Sequence, residues 1–318
     1  MPLRIRPCRR LALFASLILL TLVSGGATAL AGQRAAVIYA DSAKNTMRTI
    51  SGLTWGLSQN RSDLEIVEIY LPQPATAAAK RIADLKPDLL VTLGTDITSF
   101  AHQNFPKLPI VFAKVLNPIE SGFLDSWERP GGHITGASLD IPVLTQMQRF
   151  KSIIPKLHKV GVIYTGNSKR LVAEAQAAVS ELGIELVLYQ VASAKELPEA
   201  LDSLCRSTDG IWTVADEALT SPQFVRYTLL ETLRNNLPIM GFSRSFVESG
   251  ALFCLEPDYK YIGRQAAEIA LAVLDGANPA EVRATIPDVV YLYLNLQTEK
   301  LLKLQVPPEL VDIAKETY

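Results

Sequence analysis

The chain has 318 residues, with 31 basic and 32 acidic side chains and a formal charge of −1. That length exceeds one typical domain of ~100–200 residues, which makes two lobes the default. Setting aside the four arginines of residues 1–31 leaves 27 basic against 32 acidic residues, a balance of −5 without the basic face of a nucleic-acid binder.

The first element is a leader. Arg4, Arg6, Arg9 and Arg10 precede an apolar run from Leu11 to Val23, and Ala29-Leu30-Ala31 closes the segment with small residues. A charged region, an apolar run and an A-x-A site in this order predict a signal peptide cleaved near Ala31 and a periplasmic mature chain starting near Gly32. The run is short for a bilayer span of ~20 residues. Cys8 lies before it, so a lipid-anchored start is not expected.

From Ala35 the sequence alternates. Apolar runs rich in β-branched residues predict buried strands over 35–40, 64–70, 88–93, 109–113 and 133–139. Helical segments over 43–58, 75–85 and 97–104 separate the first four. A helix over 142–154 leads into a second run of strands at 159–164, 185–191, 210–214 and 238–242. Its helices lie over 168–182, stopped by Gly183, 194–205 and 219–235. Beyond Asp258 come a helix over 261–274, a strand over 289–294 and a helix over 296–304. Strands alternating with helices of this length predict two doubly wound, parallel-sheet α/β lobes with a cleft between them. Residues 32–140 form the first lobe, with a returning segment from about 257 to 287. Residues 141–256 form the second, and the lobe that takes the tail to 318 stays open. Asp140–Pro142 and Glu256–Asp258 are the expected hinges.

Ligands of open parallel sheets sit beyond the carboxyl ends of the strands. The residues there are Asp41 and Ser42; Gly94, Thr95 and Asp96; Lys114 and Asn117; Tyr164 and Asn167; Asp216 and Glu217; and Phe242, Ser243 and Arg244. Ser42, Thr95 and Ser168 are placed to cap helices, whose first-turn N–H groups receive carboxylates. A ligand carboxylate at Thr95 and a ligand ammonium at Asp216 would suit a free amino acid. Trp212 reads as core, and Phe242 fits either core or pocket.

The segments LVTLGTDITSFAHQNFPKLPIVFAKVLNPIESGF, RPGGHITGASLD, KVGVIYTGNS, LPIMGFSRSFVESGALFCLEPDYKYIGRQAAEIALAVLDGANPAE and YLYLNLQTEKLLKLQVPPELVDIA resemble, in this order, the ABC transporter substrate-binding proteins of the tryptophan and tyrosine type, a type I periplasmic-binding-protein fold. The resemblance implies a hinged cleft closing on a small ligand and an importer with separate permease and ATPase chains. It matches Gly94-Thr95 to a Gly-Thr or Gly-Ser turn and Asp216 to an acidic residue that members often follow with Asn, where this chain has Glu217. Asn117 stands where members often have Asp, and Lys114 is bulkier than the small residue expected there.

Catalytic chemistry is not expected. His102, His133 and His158 have no metal-ligand spacing, Cys205 and Cys254 form no CxxC, and neither a GxSxG elbow nor a phosphate loop occurs. Cys205 and Cys254 read as free thiols, and whether they pair stays open. The expectation is a monomeric binding component without cofactor or metal, with a small-molecule ligand and the permease and its ATPase as partners. A sensor feeding a membrane receptor is the alternative, and an enzyme on the same scaffold a lesser one.

Overall fold

The structure, a computed structural model, describes residues 32–73, 76–214, 216, 219 and 221–318. The expected signal peptide with its cleavage site, and Glu217, lie outside the described residues.

The first sheet is built from β1 (Arg34–Tyr39), β2 (Glu65–Tyr70), β3 (Leu89–Leu93), β4 (Ile110–Val115) and β5 (Ile134–Ser138). All pair in parallel in the order β2-β1-β3-β4-β5. Alternate residues of β1 enter different layers. Ala35 and Val37 join the core under α1 (Lys44–Asn60) and α9 (Tyr259–Leu274), whereas Ala36 and Ile38 join the core containing Ile82 of α2 (Thr76–Asp84) and Ile97 and Phe100 of α3 (Thr95–Asn104). Both faces are covered, which is why the strands read as continuous apolar runs.

The second sheet comprises β6 (Lys159–Tyr164), β7 (Glu185–Gln190), β8 (Gly210–Trp212), β9 (Ile239–Gly241), β10 (Phe253–Pro257), β11 (Val290–Leu294) and β12 (Glu316–Thr317). Its order is β12-β11-β10-β9-β8-β6-β7. Only β10 and β11 run antiparallel. Around it lie α4 (Val143–Ile153), α5 (Lys169–Val179), α6 (Leu197–Ser207), α7 (Pro222–Arg234), α8 (Arg244–Glu248), α10 (Leu296–Leu301) and α11 (Pro308–Asp312). Among the described residues no helix is long and apolar enough to cross a membrane.

Several boundaries differ from those read in the sequence. The strand expected over 210–214 ends at Trp212. The helix expected from 219 starts at Pro222, because Ser221 accepts the Phe224 N–H and the proline at the first position needs no hydrogen bond. The helix expected to 182 ends at Val179 and runs into a 3₁₀ turn before Gly183, at φ 62°. The helix expected to 304 ends at Leu301. Strands β10 and β12 and helices α8 and α11 were not delimited in the sequence. All four are five residues or shorter, too short for a periodic pattern to register, and β10 ends in proline.

The chain passes between the sheets three times. It crosses after β5 through Asp140–Pro142, after β10 through Asp258, and again after residue 285 into β11. The Thr285 N–H donates to Gly136 and its carbonyl accepts from Ser138, so this segment continues the first sheet before leaving it. The tail from 290 belongs to the second sheet through β11 and β12. Helix α9 returns to the first lobe and lies on α1 at backbone contact. A Cβ on Gly52 would stand 2.0 Å from the Lys260 carbonyl oxygen, and one on Gly263 would stand 2.0 Å from that of Thr49. No residue larger than glycine fits at either point.

Candidate functional site

On the first lobe, the strand ends close on one another. Asp41 Oδ1 accepts the Ala43 N–H at 2.9 Å and the Thr46 hydroxyl at 2.6 Å. Burial works against its charge, but these bonds and the Lys114 ammonium outweigh burial and lower its pKa. Lys114 sits at a β-bulge with φ 62°, and its Nζ bonds Thr46 Oγ1 and lies 3.4 Å from Asp41 Oδ2. The bulge turns the strand's fifth residue out of register with β5.

Two cap expectations fail here. Ser42 is exposed and caps nothing; Ala43 takes that place while Asp41 receives its N–H. Thr95 lies inside α3, whose N-cap is Gly94 at φ 92°, a conformation that glycine adopts without strain. The first turn of α3 therefore has no side-chain cap, and Thr95 and Asp96 sit at its partly open start.

On the second lobe, Thr165 Oγ1 accepts the Asn167 N–H at 3.2 Å and donates to Asp216 Oδ2 at 2.7 Å. Ser168, expected as a cap, instead donates its hydroxyl to the same Oδ2 at 2.6 Å, and the Thr165 N–H approaches it at 3.3 Å. Asp216 is 3% exposed. The sequence reading gave it a ligand ammonium; the structure spends Oδ2 on pinning the turn after β6. Beyond the early end of β8, the Asp216 N–H bonds the Val214 carbonyl at 2.9 Å. Asn167 is exposed, and Tyr164 packs partly into the lobe core. Ser243 caps α8 by accepting the Phe246 N–H. Its neighbour Arg244 is held by Tyr318, Glu248 and Glu316 at 2.6–3.0 Å.

Between the sheets, at the hinge end of the cleft, lies a cavity of about 140 Å³. Of the eleven residues expected at the site, it is lined by Asn117 and Phe242. Among the others it brings in are Leu116, Asp140, Gln146, Trp212, Thr213, Glu256 and Tyr259. Trp212 is core, at 2% exposed, and lines the cavity as well; its Nε1 donates to Gln146 Oε1 at 2.8 Å, which fixes the ring. Phe242 packs on Phe246, with centroids 5.0 Å apart.

Two carboxylates face this space. Burial raises the pKa of Glu256, although the Arg244 backbone N–H and the charges of Arg244 and Arg48 pull it down. Burial likewise pushes Asp140 up to about 6, against the Asn117 N–H, which lies 3.0 Å from both oxygens, and the Ser138 hydroxyl. Both residues were read in the sequence as hinge. Glu256 was available to the strand-end rule, since it closes β10, but that strand had not been delimited.

Cys205 and Cys254 are free thiols, and burial pushes Cys254 well up. His102 and His133 stack at 5.2 Å in the first lobe, away from the cleft cavity.

Residues 52–318 match the family described as ABC transporter substrate binding protein. A tyrosine-binding protein of Clostridioides difficile is 28% identical over 246 residues, covering 76% of this chain and 70% of the relative. An ABC domain from Streptococcus pneumonia, solved with L-Trp, superposes with a TM-score of 0.68 at 20% identity, covering 90% of this chain and all of that one. A ligand-free, open substrate binding protein with adhesive properties from Clostridium difficile reaches a TM-score of 0.75 at 20% identity, over 89% and 98% of the two chains. At these identities the two structures speak for the fold, a pair of α/β lobes of the periplasmic-binding-protein kind.

Proposed function

The chain belongs to the ABC transporter substrate binding proteins, and from that premise we propose that it captures a free amino acid with an aromatic or large apolar side chain in the interlobe cleft and hands it to a membrane permease driven by an ATPase chain. It acts by binding and release, not by catalysis. The leader of residues 1–31 directs export to the periplasm, with cleavage near Ala31.

One observation carries the ligand reading: the cleft cavity sets the carboxylate of Glu256 among Trp212, Phe242 and Tyr259. A largely buried carboxylate favours an ammonium, and flat aromatic walls favour an apolar or aromatic side chain. The uncapped first turn of α3, with Gly94, Thr95 and Asp96, offers N–H groups to the ligand's carboxylate when the lobes close. The relatives' tyrosine and L-Trp fit this description.

Isothermal calorimetry of the mature chain against L-tyrosine, L-tryptophan and the other common amino acids tests it. A charge-assisted contact is worth ~1.5–3 kcal/mol, so Glu256→Gln weakens binding roughly tenfold to a hundredfold while the thermal melt stays near wild type. Absence of binding by every amino acid, or a Glu256→Gln affinity equal to wild type, overturns the reading.

A further inference from the structure

A second space lies on the flank of the hinge. It measures about 380 Å³, larger than the cleft cavity and within the ~300–1,000 Å³ of small-molecule pockets. We propose that this groove, walled by Trp127, Ile141, Leu144 and Ile286, is a separate site for a small amphipathic cation, an amine on an apolar body, whose occupancy is coupled to the angle between the lobes. The proposal rests on the strand-end cleft being the site of the transported ligand.

Three observations carry it. The first is position. The groove takes its walls from the loop after β4, from the crossing segment at Asp140–Pro142, from the outer side of α5 and from residues 283–286. None of its lining comes from the ends of β8, β9 or β10, which line the cleft cavity. It is therefore a different space, which meets the cleft cavity at the hinge through the shared residues Asn117, Asp140, Ile141 and Leu171.

The second is charge. Glu120, Glu128, Asp140 and Glu174 line it against Arg170 and Arg283. Arg170 is already engaged, 3.3 Å from Glu120 across the lobes and 3.7 Å from Glu174 within α5. Net negative charge beside apolar walls is complementary to an ammonium with an apolar body and opposed to an anion.

The third is mechanics. Both lobes supply walls, and the Glu120–Arg170 pair spans them, so relative rotation of the lobes changes the groove. A ligand that prefers one lobe angle shifts the cleft's affinity by the same factor as the cleft ligand shifts its own.

The test uses the mature chain with 2-phenylethylammonium as probe and 3-phenylpropionate as its anionic counterpart. The protein has three tryptophans, so three indole N–H signals report position in a ¹⁵N spectrum. The amine is expected to shift the Trp127 signal saturably and to bind at least tenfold more tightly than the acid. Ala178→Trp, which fills the groove from α5, should abolish this in a protein that still binds its amino acid in the cleft. Equal binding of amine and acid, no binding of the amine, an Ala178→Trp protein that still binds it, or simple competition between the amine and the cleft amino acid overturns the proposal. If the amine binds as expected and no amino acid does, the cleft reading fails and the groove stands.

Discussion

The two lobes share a winding but treat their strand ends in opposite ways. On the first, Asp41, Thr46 and Lys114 neutralise one another in a partly exposed cluster, and the α3 start is left without a side-chain cap. On the second, Asp216 is buried under Thr165 and Ser168, and aromatic side chains floor the cavity. Topology puts polar residues at both sets of strand ends. What they do is settled by how much of each is withdrawn from water. The first lobe leaves its polar groups partly exposed, and the second buries its carboxylate in its own turn.

The largest expected effect breaks this comparison at its packing. Gly263→Ala drives a Cβ to 2.0 Å from the Thr49 carbonyl and 2.7 Å from the Leu53 nitrogen, backbone atoms on a helix that cannot yield locally. On the second lobe, Gly161→Ala meets the Ile211 Cδ1 at 2.7 Å and Leu204 side-chain atoms beyond 3 Å, and these can turn aside. Overpacking costs ~1–3 kcal/mol and occasionally more. The first substitution should fall at or above the top of that range and the second near its bottom, read from guanidinium unfolding midpoints. Equal losses would mean that α9 slides on α1.

A middle-sized effect sharpens it at the strand ends. Asp216→Ala strands two hydroxyls in a buried turn and should cost about 2 kcal/mol. Asp41→Ala removes bonds from a half-exposed cluster and should cost under about 1 kcal/mol. Thermal melts of both variants give the order, and a greater loss at Asp41 would reverse the contrast drawn between the lobes.

The smallest effect lies at the hinge that joins them. Because the folded pKa of Asp140 is raised to about 6 from an ordinary 3.8, its favourable contribution is complete below pH ~4 and is lost as pH rises through 6. Asp140→Asn should therefore gain on wild type by roughly 1 kcal/mol at pH 7, after discounting for solvent screening, and by nothing at pH 4. A gap that does not change with pH would show that Asp140 does not titrate in this range.

Apolar periodicity and the spacing of Gly and Pro marked the strands and helices of both runs to within a few residues, because covered parallel strands are continuously apolar. The same reading could place residues at strand ends but not say which way the chain turned there. Ser42, Thr95 and Ser168 all had the composition of caps. Ala43 and Gly94 hold the N-cap positions of α1 and α3, and Ser168 holds that of α5 without a side-chain bond while Thr165 caps the 3₁₀ turn before it, since capping depends on a backbone angle that composition does not reveal.

By itself, then, the sequence determined the alternating α/β order, the two lobes and the polar strand ends, all of which rest on local pattern. Tertiary structure alone decided that α9, expected in the first lobe, packs on α1 at backbone contact, that β11 joins β10 in the opposite direction, and that Glu256 lines the cavity between the sheets. Those outcomes depend on contacts between segments far apart in the chain, which local pattern does not carry. Asp216 meets two hydroxyls and a backbone amide inside its own lobe, whereas Glu256, the last residue of β10 before Pro257, lines the cavity.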